Sequence, residues 1–323
     1  KITLGDDALK FDFKVFGQKP KDGRSLFISL HGGGGAPARI NDRQWENQKG
    51  LYKPKEGIYL APRAPTNKWD LWHRPHIDDL FDRLIENLVV LEDVNPDRVY
   101  VMGYSAGGDG VYQIGPRMAD RWAAAAMMAG HPNDAKPLSL RNIGFTLHMG
   151  GKDKAYKRNQ VAAEWKVRLA ELQKEDPGGY AHEVVIHEDK GHWMEREDAV
   201  AVPWMAKFRR QPHPKSIVWQ QDDRTHERFY WIEVSGEDQK KRSIIRATCK
   251  GQVIDLQSDD VQACTLLLSD ALLNLDQPLV VRWNGKERFR GKVKRTWGNL
   301  ARSLEKRGDP RLMAPVRLDV THS

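Results

Sequence analysis

One serine of this chain stands where its hydroxyl can act as a nucleophile. Residues 103–107 read Gly-Tyr-Ser-Ala-Gly, directly after the apolar run 99–102 and directly before a segment that can be helical. A strand, a sharp turn and a helix in this order expose Ser105 at the tip of the turn. Gly103 and Gly107 leave out side chains where strand and helix backbones must come close. The pattern predicts nucleophilic attack by Ser105.

An attacking serine needs a general base and an acid that orients the base. After a serine of this kind, the acid and then the histidine should each follow a strand. Asp153 follows the apolar run 145–149 through a short glycine turn, and His192 follows the last predicted parallel strand, with Gly191 letting the loop bend toward Ser105. Three other acids are weaker candidates, on the wrong loop or too near the histidine: Asp134, Glu188 and Asp189.

A glycine-rich loop can supply the donors for the oxyanion. Residues 32–35 are four consecutive glycines that follow His31 and a predicted strand. With no side chains over the backbone, a substrate carbonyl can reach its N–H groups. We expect one donor from Ala106 and a second from Gly33 or Gly34, and His31 should orient the loop. Three further residues are expected to shape it: Asn41, Asp42 and Trp45.

Three tryptophans are candidates for substrate contact. Trp69 and Trp72 lie in the loop 62–73, which follows a strand and should share an edge with Ser105, and Trp193 adjoins His192. Broad indole faces can stack on a sugar or an aromatic ring at low entropic cost. Packing of the loops against the domain explains the same residues, and both interpretations stay open.

The elements that must position these residues form an alternating series. From residue 24 to 209, strand-like and helix-like segments follow one another, which predicts a mostly parallel sheet with helices on both faces. One helix is expected from an apolar face within residues 77–88, with Asp78 as its cap. A last helix is expected near 199–209. The fold class is therefore α/β, with a doubly wound sheet.

A second domain is expected after two closely spaced prolines, Pro212 and Pro214. We place the boundary between domains 1–212 and 213–323. The second domain shows mostly short strands, one helix near 298–306 and an Asn284-Gly285 hairpin signal, which together suggest a small β-sandwich. No serine–histidine constellation is evident there.

Composition bounds the partners of the chain. Its 323 residues carry a formal net charge of +8, but basic and acidic residues are interspersed. We therefore expect a solvated surface and no nucleic-acid partner. No apolar run of about 18 residues occurs, so no membrane insertion is expected. The chain starts at Lys1, as a processed exported protein or a shortened chain would, and we expect a secreted or periplasmic location, with a cytoplasmic one as the alternative.

Metal and redox signals are weak. Cys249 and Cys264 can form one disulfide or stay as two buried thiols. His73 and His76 have the spacing of half a metal site, but no carboxylate motif accompanies them. We expect neither a metal nor another cofactor.

The glycine loop 32–35, the elbow 103–107, Asp153 after its strand and the Gly191-His192 pair together resemble the α/β-hydrolase superfamily. Over residues 10–210, the chain is similar to phospholipase/carboxylesterase, dienelactone-hydrolase and polyhydroxybutyrate-depolymerase-like esterases. The resemblance implies that Ser105, His192 and Asp153 are nucleophile, base and orienting acid. The sequence departs from the family pattern in one respect: it shows no long cap insertion of the lipase type, which suggests an open cleft shaped mainly by loops.

The resemblance implies a serine carboxylesterase with an ester substrate, such as acetyl or feruloyl groups on a polysaccharide. Polyester and lipid esters are alternatives. A serine peptidase of the same fold is a second interpretation, because the three side chains do not distinguish ester from amide. A carbohydrate- or surface-binding protein on an inert hydrolase frame is a third interpretation. It suits residues 213–323 better than the rest.

Overall fold

The computed structural model describes residues 1–322 and divides the chain into two compact units. The first unit ends at Arg210 and the second begins at Gln211, two residues before the expected boundary. Proline has no backbone N–H for a helix or a sheet. The prolines at 212 and 214 therefore mark the place where regular structure stops.

An eight-stranded sheet forms the centre of the first unit. Its strands in chain order are β1 (Ile2–Leu4), β2 (Asp7–Phe16), β3 (Arg24–Leu30), β4 (Gly57–Arg63), β5 (Val94–Tyr104), β6 (Ala124–Met128), β7 (Gly144–Gly150) and β8 (His182–His187). In space they run β1-β2-β4-β3-β5-β6-β7-β8. β1 and β2 pair antiparallel and β2 pairs antiparallel with β4, whereas all pairs from β4 to β8 are parallel.

Helices connect the parallel strands. They are α1 (Ala38–Gln48), α2 (Pro75–Leu91), α3 (Ala106–Arg117), α4 (Arg158–Glu175) and α5 (Ala201–Met205), with short 3₁₀ turns at Leu138–Asn142, Ala155–Lys157 and Glu197–Val200. Every residue of β4, β6 and β7 is buried, as expected for strands covered on both faces. The unit has the α/β-hydrolase fold that the sequence predicts.

Two local predictions need correction, and one hairpin was not predicted. Asp78 does not cap α2, which begins at Pro75, because its buried carboxylate pairs with Arg117 at 2.7 Å instead. The last helix is only α5 and the 3₁₀ turn before it, so residues 206–209 are not helical. The β1–β2 hairpin is additional. β2 buries fully only Leu9 and lies near the sheet edge, so its sequence lacks the apolar run of a central strand.

The second unit is rich in short strands. They are β9 (Ser216–Gln220), β10 (Arg228–Phe229), β11 (Ile232–Glu233), β12 (Ile244–Lys250), β13 (Val253–Gln257), β14 (Ala263–Leu268), β15 (Leu279–Trp283), β16 (Lys286–Gly291) and β17 (Val316–Thr321), with α6 (Trp297–Arg307) and 3₁₀ turns at Gly236–Asp238 and Pro310–Leu312. They form two sheets, β10-β11-β14-β17 and β16-β15-β13-β12-β9. This agrees with the expected β-rich, sandwich-like second domain.

Details of the second unit follow from local chemistry. Asn284 and Gly285 both have positive φ and join β15 to β16, which confirms the hairpin. Cys249 and Cys264 are buried free thiols, on β12 and β14. Within residues 1–322, no helix is long and apolar enough to cross a membrane.

Candidate active site

Ser105 lies on a sharp turn between β5 and α3. Its backbone has φ 58° and ψ −122°, a left-handed conformation that is strained for a residue with a side chain. A Cβ on Gly103 would overlap the carbonyl oxygen of Gly107, and one on Gly107 would overlap that of Leu30. Only glycine fits at both positions, and the close approach holds Ser105 at the tip of the turn.

His192 bridges Ser105 and Asp153. Its Nε2 lies 2.9 Å from Ser105 Oγ, and its Nδ1 lies 2.6 Å from Asp153 Oδ2. A carboxylate only accepts, so Nδ1 carries the imidazole proton and donates it to Asp153. The unprotonated Nε2 can then accept the hydroxyl proton of Ser105. Asp153 is 3% exposed, whereas the His192 side chain is 44% exposed and accessible to a substrate.

The loops that carry Asp153 and His192 are joined through their backbones. Gly151 N–H donates to the carbonyl of His187 and Lys152 N–H donates to the carbonyl of Lys190, each at 2.8 Å. A Cβ on Gly150 would overlap the carbonyl of Gly191. Because β7 and β8 are parallel neighbours, both loops leave the same sheet edge and meet there.

Tyr104 is a contributor that the sequence analysis missed. Its hydroxyl donates to the carbonyl of His192 at 2.7 Å and accepts from the N–H of Met194 at 2.9 Å. Tyr104 thus fixes the backbone on both sides of residue 193. The sequence does not predict this contact, because Tyr104 and His192 are far apart along the chain. The only signal available is that Tyr104 directly precedes Ser105.

The two candidate glycines of the loop differ in the hydrogen bonding of their N–H groups. Gly34 N–H donates to Asn41 Oδ1 at 2.8 Å and is therefore occupied. Within residues 1–322, no acceptor lies at hydrogen-bond distance from the N–H of Gly33 or of Ala106, the first residue of α3. Of the two glycines left open by the sequence, the geometry favours Gly33. Asn41 is completely buried and also donates to the carbonyl of Ala36, so it holds the loop in shape.

His31 connects the glycine loop to the loop after β4 through hydrogen bonds. Ala64 N–H donates to His31 Nε2 at 3.1 Å, so the proton sits on Nδ1 and is donated to the carbonyl of Gly32 at 2.6 Å. Burial lowers the pKa of His31 to about 4, which keeps the ring neutral. Trp72 Nε1 donates to the carbonyl of His31 at 3.0 Å.

The tryptophans differ in their exposure. Trp72 is completely buried and cannot present its ring to a substrate, so the packing interpretation holds for it. Trp69 is 63% exposed and Trp193 is 50% exposed. Trp69 lines a cavity of about 610 Å³ with Gly33 and Ala106, and Trp193 lines a second cavity of about 590 Å³ with His192. Ser105 borders both.

The weaker acid candidates lie elsewhere. Asp134 accepts from the Gln113 side chain at 3.4 Å. His192 Nδ1 is matched with Asp153 and with neither Glu188 nor Asp189. Within residues 1–322, no group of three histidine, cysteine or acidic side chains is arranged to hold a metal ion.

The chain has distant structural similarity to several solved esterases. No protein-family model and no curated protein sequence matches the chain. Among solved structures, the chain is similar to esterase PE8 (16% identity, TM-score 0.42, covering 62% of this chain and 98% of that one). It is also similar to a Bacillus cereus carboxylesterase (16%, TM-score 0.44, 62% and 95%) and to a thermostable esterase (18%, TM-score 0.49), of which it spans 59% of the length.

Proposed function

We propose that this protein is a serine carboxylesterase that works through an acyl-enzyme. One observation supports this most strongly: the continuous chain of hydrogen bonds from Ser105 Oγ through His192 to Asp153. The Ser105 hydroxyl borders two cavities. Gly33 and Ala106, whose N–H groups have no acceptor within residues 1–322, both line the first cavity. These are the groups that acyl transfer requires.

Each group has a defined part in the reaction. Ser105 Oγ forms a bond to the ester carbonyl carbon while its proton passes to His192 Nε2. The N–H groups of Gly33 and Ala106 stabilise the negative charge on the carbonyl oxygen. His192 then gives the proton to the alcohol oxygen as the ester C–O bond breaks. Water attacks the acyl-enzyme by the same route, which releases the acid and restores Ser105.

The two cavities would take different halves of the substrate. His192 must reach the oxygen of the leaving alcohol, and it lines the cavity that contains Trp193. The alcohol therefore belongs in that cavity and the acyl group in the other. Gln44 and Asn47 lie with Trp193 there, and amide side chains beside an exposed indole suit a sugar. We propose a carbohydrate as the alcohol half.

The test uses Ser105→Ala with para-nitrophenyl acetate. We expect kcat to fall by about 10⁴-fold or more, because the nucleophile is lost. A fluorophosphonate should inactivate the wild-type protein and leave Ser105→Ala unlabelled. Unchanged turnover in the variant would reject the proposal. Preference for an aminoacyl amide over the ester would favour a peptidase instead.

A further inference from the structure

Arg158 differs from the other buried arginines of the first unit. Its side chain is only 12% exposed, and its nearest carboxylate is Asp153, with 3.8 Å between Nη1 and Oδ1. That separation is beyond hydrogen-bond distance. Arg63 and Arg141, whose side chains are 10% and 11% exposed, each donate to a carboxylate at 2.8 Å or less. Within residues 1–322, Arg158 Nε is enclosed without an acceptor.

A largely buried guanidinium whose enclosed Nε has no acceptor is costly. Leaving a buried charged donor unpaired costs more than the ~1–3 kcal/mol of a neutral group. Arg158 lies at the start of α4 and lines the cavity that we assign to the acyl group. An acceptor brought into that cavity can therefore pair with the guanidinium.

The surrounding backbone holds Arg158 at this place. Tyr156 and Lys157 just before it both have positive φ, 54° and 59°, which is strained for residues with side chains. The guanidinium carbon lies 4.9 Å from the centre of the Tyr156 ring, within cation–π range. Lys157 lines the same cavity and adds a second positive charge.

We propose that Arg158 binds a carboxylate carried by the acyl group, so that the preferred substrates are half-esters of dicarboxylic acids. This inference rests on the proposed function, and it replaces the acetyl and feruloyl groups considered above. Those acyl groups are uncharged and leave the guanidinium unpaired. A guanidinium can pair with a carboxylate through two parallel N–H···O bonds, which gives both affinity and orientation.

One acidic residue shares the cavity. Asp109 lies there, but it accepts a hydrogen bond from the N–H of His131 at 2.6 Å. Burial raises the pKa of Asp109. Arg158 and Lys157 place two positive charges beside the single carboxylate of Asp109, so the net charge of the side chains at the acyl end favours an anion.

The experiment compares two esters of similar length, para-nitrophenyl hydrogen glutarate and neutral para-nitrophenyl hexanoate. In Arg158→Gln, the ratio of kcat/KM for glutarate to that for hexanoate should fall about ten- to a hundred-fold, as loss of a charged hydrogen-bonded pair predicts. Arg158→Lys, which keeps the charge but not the planar fork, should give an intermediate ratio. Arg168→Gln removes an exposed arginine of the same helix and should keep the wild-type ratio.

Two results would overturn the inference. An unchanged ratio in Arg158→Gln would show that no carboxylate is bound there. An equal fall for both esters would show that Arg158 acts only by positioning Asp153.

Calorimetry with glutarate and the Ser105→Ala protein separates this inference from the proposed function, because no turnover is needed. Binding that Arg158→Gln weakens supports the anion site even if neither ester is hydrolysed. Absence of binding contradicts the anion site even if Ser105 proves to be the nucleophile.

Discussion

Both units of the molecule contain a serine beside a histidine, but the surroundings of the two pairs differ. In the first unit, Ser105 lies on a strained turn at the border of two cavities, and Asp153 orients His192. In the second unit, Ser269 Oγ lies 3.4 Å from His213 Nδ1, a pair that the sequence analysis did not find. Ser269 is buried, and His213 Nε2 lies against the backbone carbonyl of Arg311.

Topology explains the difference. In the first unit, β5, β7 and β8 are parallel, so the residues that follow them meet at one edge of the sheet. In the second unit, most neighbouring strands are antiparallel, so their ends alternate. Buried polar groups there serve local loops: Asp238 accepts from the N–H groups of Gln262 and Ala263. A serine and a histidine in contact are therefore not sufficient evidence for an active site.

Matched histidine variants test whether the two serine–histidine pairs differ in function. His192→Gln should lower kcat for para-nitrophenyl acetate by about 10⁴-fold, because no group then accepts the proton of Ser105. His213→Gln should leave kcat within a few-fold of the wild-type value. Steady-state rates of the two purified variants decide, and similar losses would mean that the second unit takes part in catalysis.

Acid should weaken folding through His31. Its folded pKa is about 4 and the unfolded value is 6.5, so between these values the unfolded chain binds a proton that the folded one excludes. Stability is therefore lost as the pH falls from 6.5 toward 4, by roughly 3 kcal/mol. Urea unfolding at several pH values should show a shallower slope in His31→Gln. The buried His148, whose pKa burial lowers to about 3, should retain part of the slope in the variant. The same pH dependence in His31→Gln and in the wild type would show that His31 does not contribute to the loss of stability in acid.

Tyr104→Phe tests whether the Tyr104 hydroxyl holds the loop that carries His192. It leaves the carbonyl of His192 and the N–H of Met194 without their partner. We expect the free energy of unfolding to fall by about 2 kcal/mol, because two backbone groups lose their partner. We expect kcat to fall about ten- to a hundred-fold, because His192 is then less well placed to accept the proton. Denaturant unfolding and ester kinetics measure the two effects. A normal kcat would show that the loop keeps its position without the hydroxyl.

Asn41→Ala tests the glycine loop. Gly34 N–H loses its acceptor, so the loop that presents Gly33 loosens and kcat should fall about tenfold. Asn41→Asp keeps the accepting oxygen and should recover most of the rate. Equal losses in both variants would assign the effect to the Asn41 bond with the Ala36 carbonyl instead.

The smallest effect is expected in the second unit. Thr296 Oγ1 accepts from the N–H of Asn299 and caps α6. Thr296→Ala should lower the free energy of unfolding by about 1 kcal/mol, with unchanged ester kinetics. A loss of activity would contradict the separation of chemistry from the second unit.

The sequence predicts the parallel sheet and the meeting of Ser105, Asp153 and His192, because their positions depend on strand order alone. It does not predict the burial of Trp72, since an indole suits both a core and a binding surface. Nor does it predict the contact of Tyr104 with His192, which depends on how two distant loops pack. The sequence does not predict a role for Arg158, because the absence of an acceptor for its Nε depends on which groups surround it in the folded protein.

Acid-quench mapping of the acyl-enzyme tests directly whether Ser105 is the nucleophile. The protein is mixed rapidly with para-nitrophenyl acetate, quenched within the burst and digested, and the peptides are weighed by mass spectrometry. We predict one acetyl group per chain, on the peptide that contains Ser105, and none in Ser105→Ala. Turnover without this adduct, or an adduct on Ser269, would contradict the account.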